Sequence, residues 1–180
     1  MRKLHGILTV VILAAASAPR LQAADATFYV GGISPGDLRT GIQKIPLDGG
    51  TTLGFRLSTN FIPMIGLEHT FGFGTNFLVP HNQPAFEDAK GFLYNTNLIV
   101  NIPLGRFVPY VTAGAGFIWQ YGAEDLPVGT EFAVNYGGGL KCRLFGPAGI
   151  RVDARGYTTT EVRDSNLNMF EMSAGFYVSF

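Results

Sequence analysis

The chain has 180 residues, enough for one domain, with 24 glycines, 13% aromatic residues and only 14% charged ones. Thirteen basic and thirteen acidic residues leave no positive excess, so composition gives no support for a nucleic-acid partner. A single cysteine excludes a disulfide framework or a cysteine-cluster metal site, and 47% apolar content with balanced charge excludes disorder.

Residues 1–23 read as a secretory signal. Arg2 and Lys3 form the positive start, and Ile7 to Ala18 form an apolar run shorter than the about 20 residues a spanning helix needs. Cleavage is expected after Ala23, leaving 24–180 as the exported domain. Loss of Arg2, Lys3 and Arg20 takes the thirteen basic residues to ten against thirteen acidic, a net charge of −3.

The remainder carries no convincing helical spacing. Alternation with a period of two predicts strands near 26–34, 51–59, 64–74, 91–102, 108–120, 131–144, 149–160 and 169–180. In the first of these the two faces can be read in either parity. In the fourth, Phe92, Tyr94, Thr96, Leu98 and Val100 oppose Asn95, Asn97 and Asn101. In the sixth, Phe132, Val134, Tyr136, Leu140 and Cys142 oppose Asn135, Gly137, Gly139, Lys141 and Arg143. The seventh sets Ile150, Val152 and Ala154 against Arg151, Asp153 and Arg155, and the eighth sets Phe176, Val178 and Phe180 against Glu171 and Ser173. Short turns near Asn60–Pro63, Pro103–Arg106 and Phe145–Ala148 alternate with long links at 35–50, 75–90, 121–130 and 161–168. That asymmetry, with strands of about ten residues, is the pattern of a barrel crossing an outer membrane.

Alternation alone also suits a soluble lipocalin-like barrel with an apolar interior. Charge decides between them. The polar faces hold Arg56, Glu68, Lys141, Arg143, Arg151, Asp153, Arg155 and Glu171, both signs on adjacent strands. Arg56, Glu68, Asp153 and Arg155 lie near mid-strand, and turning them toward lipid would cost on the order of 5–10 kcal/mol, comparable with a domain's whole stability. They are expected to line a lumen. Aromatic residues gather at strand ends, with Phe61, Phe107, Phe145 and Phe180 at the short-turn end. Phe71, Phe73, Phe92, Tyr94, Trp119, Phe132 and Phe170 gather at the long-loop end, giving paired girdles for two membrane interfaces. The expected fold is all-β: a closed, antiparallel, eight-stranded up-and-down transmembrane barrel.

The runs Pro109-Tyr110-Val111-Thr112-Ala113-Gly114-Ala115-Gly116-Phe117 and Gly149-Ile150-Arg151-Val152-Asp153-Ala154-Arg155-Gly156-Tyr157, with the ending Gly175-Phe176-Tyr177-Val178-Ser179-Phe180, resemble the OmpA/OmpX-like outer-membrane β-barrels of Gram-negative bacteria. The resemblance implies an outer-membrane location, with membrane lipid and lipopolysaccharide as surroundings. It also implies that the assembly machinery reads Phe176, Val178 and Phe180 as an insertion signal, and it favours a plugged lumen. Unlike the larger members of that group, this sequence is not expected to carry a peptidoglycan-binding domain after the eighth strand, which argues against a cell-wall tethering role.

Candidate chemistry is thin. The lumen ions read as a structural zipper, with a narrow ion or small-solute channel as the alternative. His69 falls on the lipid-facing parity, and a second alternative, a membrane-embedded lipid-modifying enzyme, would need a nucleophile and an acid beside it; none is evident. His81 stands alone in a loop, and Cys142 reads as a small hydrophobe. Neither a catalytic residue, a metal site nor a cofactor is expected. Specific function is expected at the long loops, where Asp37, Arg39, Lys44, Asp48, Glu87, Asp88 and Lys90 mix charges and Leu78, Val79 and Phe86 either form an apolar patch or fold back over the rim. The reading is a monomer that presents these loops to an extracellular ligand.

Overall fold

A computed structural model describes residues 22–36, 38–40, 43–45, 47–62, 64–75, 79–80, 89–122, 129–162 and 165–180. Eight long strands are present: β1 Gln22–Pro35, β2 Gly50–Ile62, β3 Ile65–Thr75, β4 Lys90–Asn101, β5 Phe107–Tyr121, β6 Thr130–Phe145, β7 Ala148–Val162 and β8 Ser165–Ser179. Each pairs antiparallel with its sequence neighbour, and β1 pairs with β8, so the sheet closes into a barrel. Closure satisfies the backbone within the sheet and leaves no edge, the condition for a β structure in lipid. Residues 1–21, within the expected signal, lie outside the described residues, as do Asp37, Leu78, His81, Phe86, Glu87 and Asp88.

Register fixes the shape. From Asp25 the cross-strand partners run through Ser58, Glu68, Asn97, Gly114, Asn135, Tyr157 and Met169, and return to β1 at Pro35. The circuit therefore climbs from position 25 to position 35, a stagger of ten residues, which for eight strands means a tilt of about 40°. In such a barrel the interior is just wide enough for side chains to fill it.

Side-chain alternation follows the pleat. On β2, Thr52, Arg56 and Ser58 are buried while Leu53, Phe55 and Leu57 are exposed. On β7, Arg151, Asp153 and Arg155 are buried while Ile150 and Val152 are about half exposed. Polar inside and apolar outside inverts the soluble pattern, and it is the stable arrangement only where the surroundings are hydrocarbon. The open parity of β1 resolves with Asp25, Thr27, Tyr29 and Ile33 inward and Phe28 and Val30 outward.

The tight turns Pro103–Arg106 and Phe145–Ala148 contain Gly105 (φ 67°) and Gly146 (φ 51°), a backbone region that side-chain-bearing residues enter at a cost. At the opposite end, the expected long link 161–168 is absent. β7 runs to Val162 and β8 begins at Ser165, with those two residues paired, so this connection is a hairpin. The first link contains strand pieces of its own: Leu38–Thr40 pairs with Gln43–Ile45, and Leu47–Asp48 pairs with Val79–Pro80 of the second link.

A sealed ion network and a lipid-facing hydroxyl–imidazole cluster

Three arginines and three carboxylates meet in the middle of the lumen. Arg56 on β2 spans the barrel, giving Nη1 to Asp153 at 2.9 Å and Nη2 to Glu171 at 2.8 Å, with its guanidinium 3.7 Å from the Tyr29 ring centroid. Arg151 reaches Glu68 at 2.6 Å and Asp153 at 2.9 Å, and Arg155 reaches the same two carboxylates at 2.6 Å and 3.0 Å. Remaining lone pairs are taken by hydroxyls: Ser58 donates to Glu68, Tyr157 to Glu171, and Tyr110 to Asp153. Glycines make room, since a Cβ at Gly137 would press on the Arg155 stem and one at Gly139 would meet the Tyr110 ring.

Toward the short-turn end a separate pair, Lys141 with Asp25 at 2.6 Å, is capped by the Ser179 hydroxyl. Among the described residues the buried ions are thus Arg56, Lys141, Arg151 and Arg155 against Asp25, Glu68, Asp153 and Glu171, four of each sign. A neutral, fully paired interior is the one way to bury this much charge without prohibitive desolvation. Arg143, expected in the same network, does not join it. It has the inward parity, but two residues beyond Lys141 the barrel has opened, and its side chain is exposed at the mouth beside Tyr177. That mouth forms a vestibule of about 200 Å³ lined by Asp25, Asn60, Asn101, Lys141, Arg143 and Tyr177 among others.

The loop end of the lumen is different. Ile33, Leu47, Leu93, Ile118, Ala133, Tyr157, Leu167 and Met169 form one buried apolar cluster. All but Tyr157 and Leu47 lie within four residues of a loop-side strand end, and Leu47 comes from the short piece paired with Val79–Pro80. Hydrocarbon dominates the loop end of the lumen, where Thr52, Gln120 and Thr159 are also buried, and the other end opens to a polar vestibule. Between the two, Asn95, Asn97 and Asn135 are fully buried with neither amide atom bonded to protein, the kind of group that ordered water satisfies.

The outer face carries the aromatic residues. Phe61, Phe107, Phe145 and Phe180 stand exposed at the short-turn end, and Phe73, Trp119, Phe132 and Phe170 at the loop end. Phe92 packs between Phe73 and Phe117. Phe71 sits lower than the other loop-end residues, stacked on Phe55 at 4.7 Å in a diagonal row that continues through Tyr94 to Phe117. Phe176 and Val178 point outward on β8, and Phe180 exchanges both backbone bonds with Ala24 at 2.8 Å, closing the seam.

One polar cluster on this face escapes sequence reasoning. His69 Nδ1 lies 3.1 Å from both the Tyr94 hydroxyl and the Thr96 hydroxyl, which are 3.0 Å from each other. Nothing in the local sequence of β3 announces it, because its members sit 25 and 27 residues away and meet only through the β3–β4 register. An imidazole beside a hydroxyl is the beginning of a nucleophile–base pair. The cluster holds no carboxylate, and the register around it is uninterrupted, so neighbouring N–H groups are committed to the sheet and cannot serve as an oxyanion hole. Among the described residues no group of three or more metal-ligating side chains forms.

The fold is shared with solved structures. Neisserial surface protein A aligns with a TM-score of 0.68 at 14% identity, covering 88% of this chain and 99% of that one. OprG from Pseudomonas aeruginosa aligns at 0.61 and 12% identity, covering 89% and 97%, and the outer membrane enzyme PagL at 0.52 and 15%, covering 86% and 98%. At these identities the likeness is one of fold, and that fold hosts an enzyme as well as a surface protein. No curated protein sequence matches the chain. The family model described as outer membrane protein beta-barrel domain matches residues 7–180, in accord with the inverted faces, the closed sheet and the two aromatic girdles. The chain belongs to that family and is a Gram-negative outer-membrane β-barrel.

Proposed function

We propose that this barrel is a non-conducting, non-catalytic membrane anchor that presents its long loops at the cell surface. The observation that carries the reading is the lumen's apolar closure at the loop end, set above a neutral ion network with every carboxylate engaged. A channel would need a continuous wet path, and a cluster of Ile33, Leu93, Ile118 and Leu167 excludes water from one end of it. The enzyme alternative is weakened by the depth of the His69 cluster. His69 is four residues from the short-turn end of β3 and six from the loop end, in the hydrocarbon and away from both interfaces where lipid ester bonds lie.

Conductance tests the first half. Purified protein in planar bilayers should be silent, and Leu93→Ser with Ile118→Ser should introduce steps by wetting the closed end. Steps in the unaltered protein that change on Arg155→Ala would overturn the reading in favour of a channel. Replacing residues 78–86 by a short Gly-Ser link tests the second half. Folding, read as heat-modifiable gel mobility, should be retained while attachment, phage sensitivity or serum survival changes.

A further inference from the structure

The short-turn mouth of the barrel holds more positive charge than the protein itself neutralises. Its vestibule of about 200 Å³ takes its polar lining from β1, β2, β4, β6 and β8, through Asp25, Asn60, Asn101, Lys141, Arg143 and Tyr177. Asp25 cancels Lys141, 2.6 Å away. Arg143 is exposed and donates to the Tyr177 hydroxyl, and its other N–H groups point to no described partner. The Arg143 backbone N–H donates to the Arg106 carbonyl at 2.8 Å, so a second exposed guanidinium side chain starts from the adjoining turn, and both arginines line one cleft with Gly105 and Gly146. Among the described residues neither is paired with a carboxylate, so two positive charges at this end stand uncompensated.

Acceptors face the same space. Asn101 is 5% exposed; its amide nitrogen donates to Asn60 Oδ1 at 3.3 Å, while its own Oδ1 accepts from no protein group. Asp25 takes the Ser179 hydroxyl on Oδ1 and Lys141 on Oδ2, which leaves each oxygen a second lone pair. A fitting occupant is therefore a doubly charged oxyanion that also donates a hydrogen bond. Hydrogen phosphate answers on both counts. Its bare oxygens accept from Arg143, Lys141 and the Asn60 amide, and its P–O–H donates to Asn101 Oδ1 or to Asp25. Sulfate has the same charge and shape but no proton, so it leaves those acceptors unmet and sets its own lone pairs against them. A membrane phosphodiester lacks the P–O–H as well. We propose that the vestibule is a binding site for hydrogen phosphate on the periplasmic side of the barrel, where the short turns lie in this architecture. Bound there, the anion ties β4 and β6 to the β1–β8 seam. The site lies at the opposite end from the surface loops and is independent of what they bind.

The test is isothermal titration calorimetry of the full-length mature protein in a non-ionic detergent at neutral pH and fixed ionic strength. Sodium phosphate, sodium sulfate and the soluble diester glycerophosphoglycerol are the titrants. Phosphate should bind at least about tenfold more tightly than sulfate or the diester. Arg143→Gln should weaken phosphate binding about tenfold, since it removes a charge-assisted donor. Asn101→Leu should bring phosphate toward the sulfate value and leave sulfate unchanged. Lys90→Gln removes the same charge at the far end of the barrel and should change neither. All variants are checked for the folded band in unboiled gels. If Asn101→Leu does not fold, the phosphate-to-sulfate ratio of the unaltered barrel decides the part played by the proton. Absence of saturable phosphate binding, or equal affinity in Arg143→Gln and the unaltered barrel, overturns the site. Equal affinity for phosphate and sulfate overturns the choice of ligand, and equal affinity for the diester hands the site to a lipid headgroup instead.

Discussion

At the residue scale the lumen sets two neighbours against each other. Glu68 and Asn97 are cross-strand partners and both fully buried, yet Glu68 binds Arg151, Arg155 and Ser58, whereas the Asn97 amide has no protein partner. Removing the first leaves the closed interior one negative charge short, with Arg151 and Arg155 both left to Asp153, and Glu68→Gln should cost about 3–5 kcal/mol. Removing the second breaks no protein contact, and Asn97→Ala should cost about 1 kcal/mol or less. Urea titration of the reconstituted barrel, followed by heat-modifiable mobility, measures both. Costs of equal size would mean that the two side chains stand in the same environment after all. The charges themselves were legible from alternation alone, because arginine and aspartate in mid-strand have one affordable direction in lipid. Their partners were not legible: Arg56 finds Asp153 and Glu171 across the barrel's diameter, at sequence separations of 97 and 115 that periodicity does not encode. The His69–Tyr94–Thr96 cluster was hidden for the same reason.

At the element scale each strand is a depth gauge. Leu98 on β4 is about half exposed and sits next to Thr96, level with the middle of the sheet, whereas Phe132 on β6 stands two residues from its loop-side end. Leu98→Arg should therefore destabilise by about 2–4 kcal/mol and Phe132→Arg by about 1 kcal/mol or less, measured by the same titration. A reversed order would put the hydrocarbon somewhere else on the barrel. All eight strands could be read from sequence because apolar alternation persists wherever lipid touches them. Two features resisted. β1 has an aromatic residue on each face, Phe28 outward and Tyr29 inward, so hydropathy alone could not orient it. The β7–β8 hairpin continues above the apolar band through Thr158, Thr159 and residues 160–162, where no lipid imposes alternation and a paired extension reads as a loop.

At the scale of the whole molecule, the barrel's interior and exterior have exchanged their usual chemistries, and its two ends differ: an apolar closure toward the loops and a polar vestibule toward the short turns. The reciprocal backbone bonds between Ala24 and Phe180 show where the ring is joined. Signal cleavage after Ala23 would leave that pair intact, and N-terminal sequencing of protein from the membrane fraction should begin at Ala24; a start beyond Asp25 would remove the partner of Lys141. The seam has a kinetic consequence. Seven of the eight strand junctions join neighbours that leave the ribosome in succession, but this one unites segments some 150 residues apart, so it forms last and at the greatest entropic cost. Until it forms, β1 and β8 are each an unpaired edge in an environment that offers them no water. Both margins therefore have to be kept covered until they meet, which makes closure of this one seam the step that separates an inserted sheet from a finished barrel.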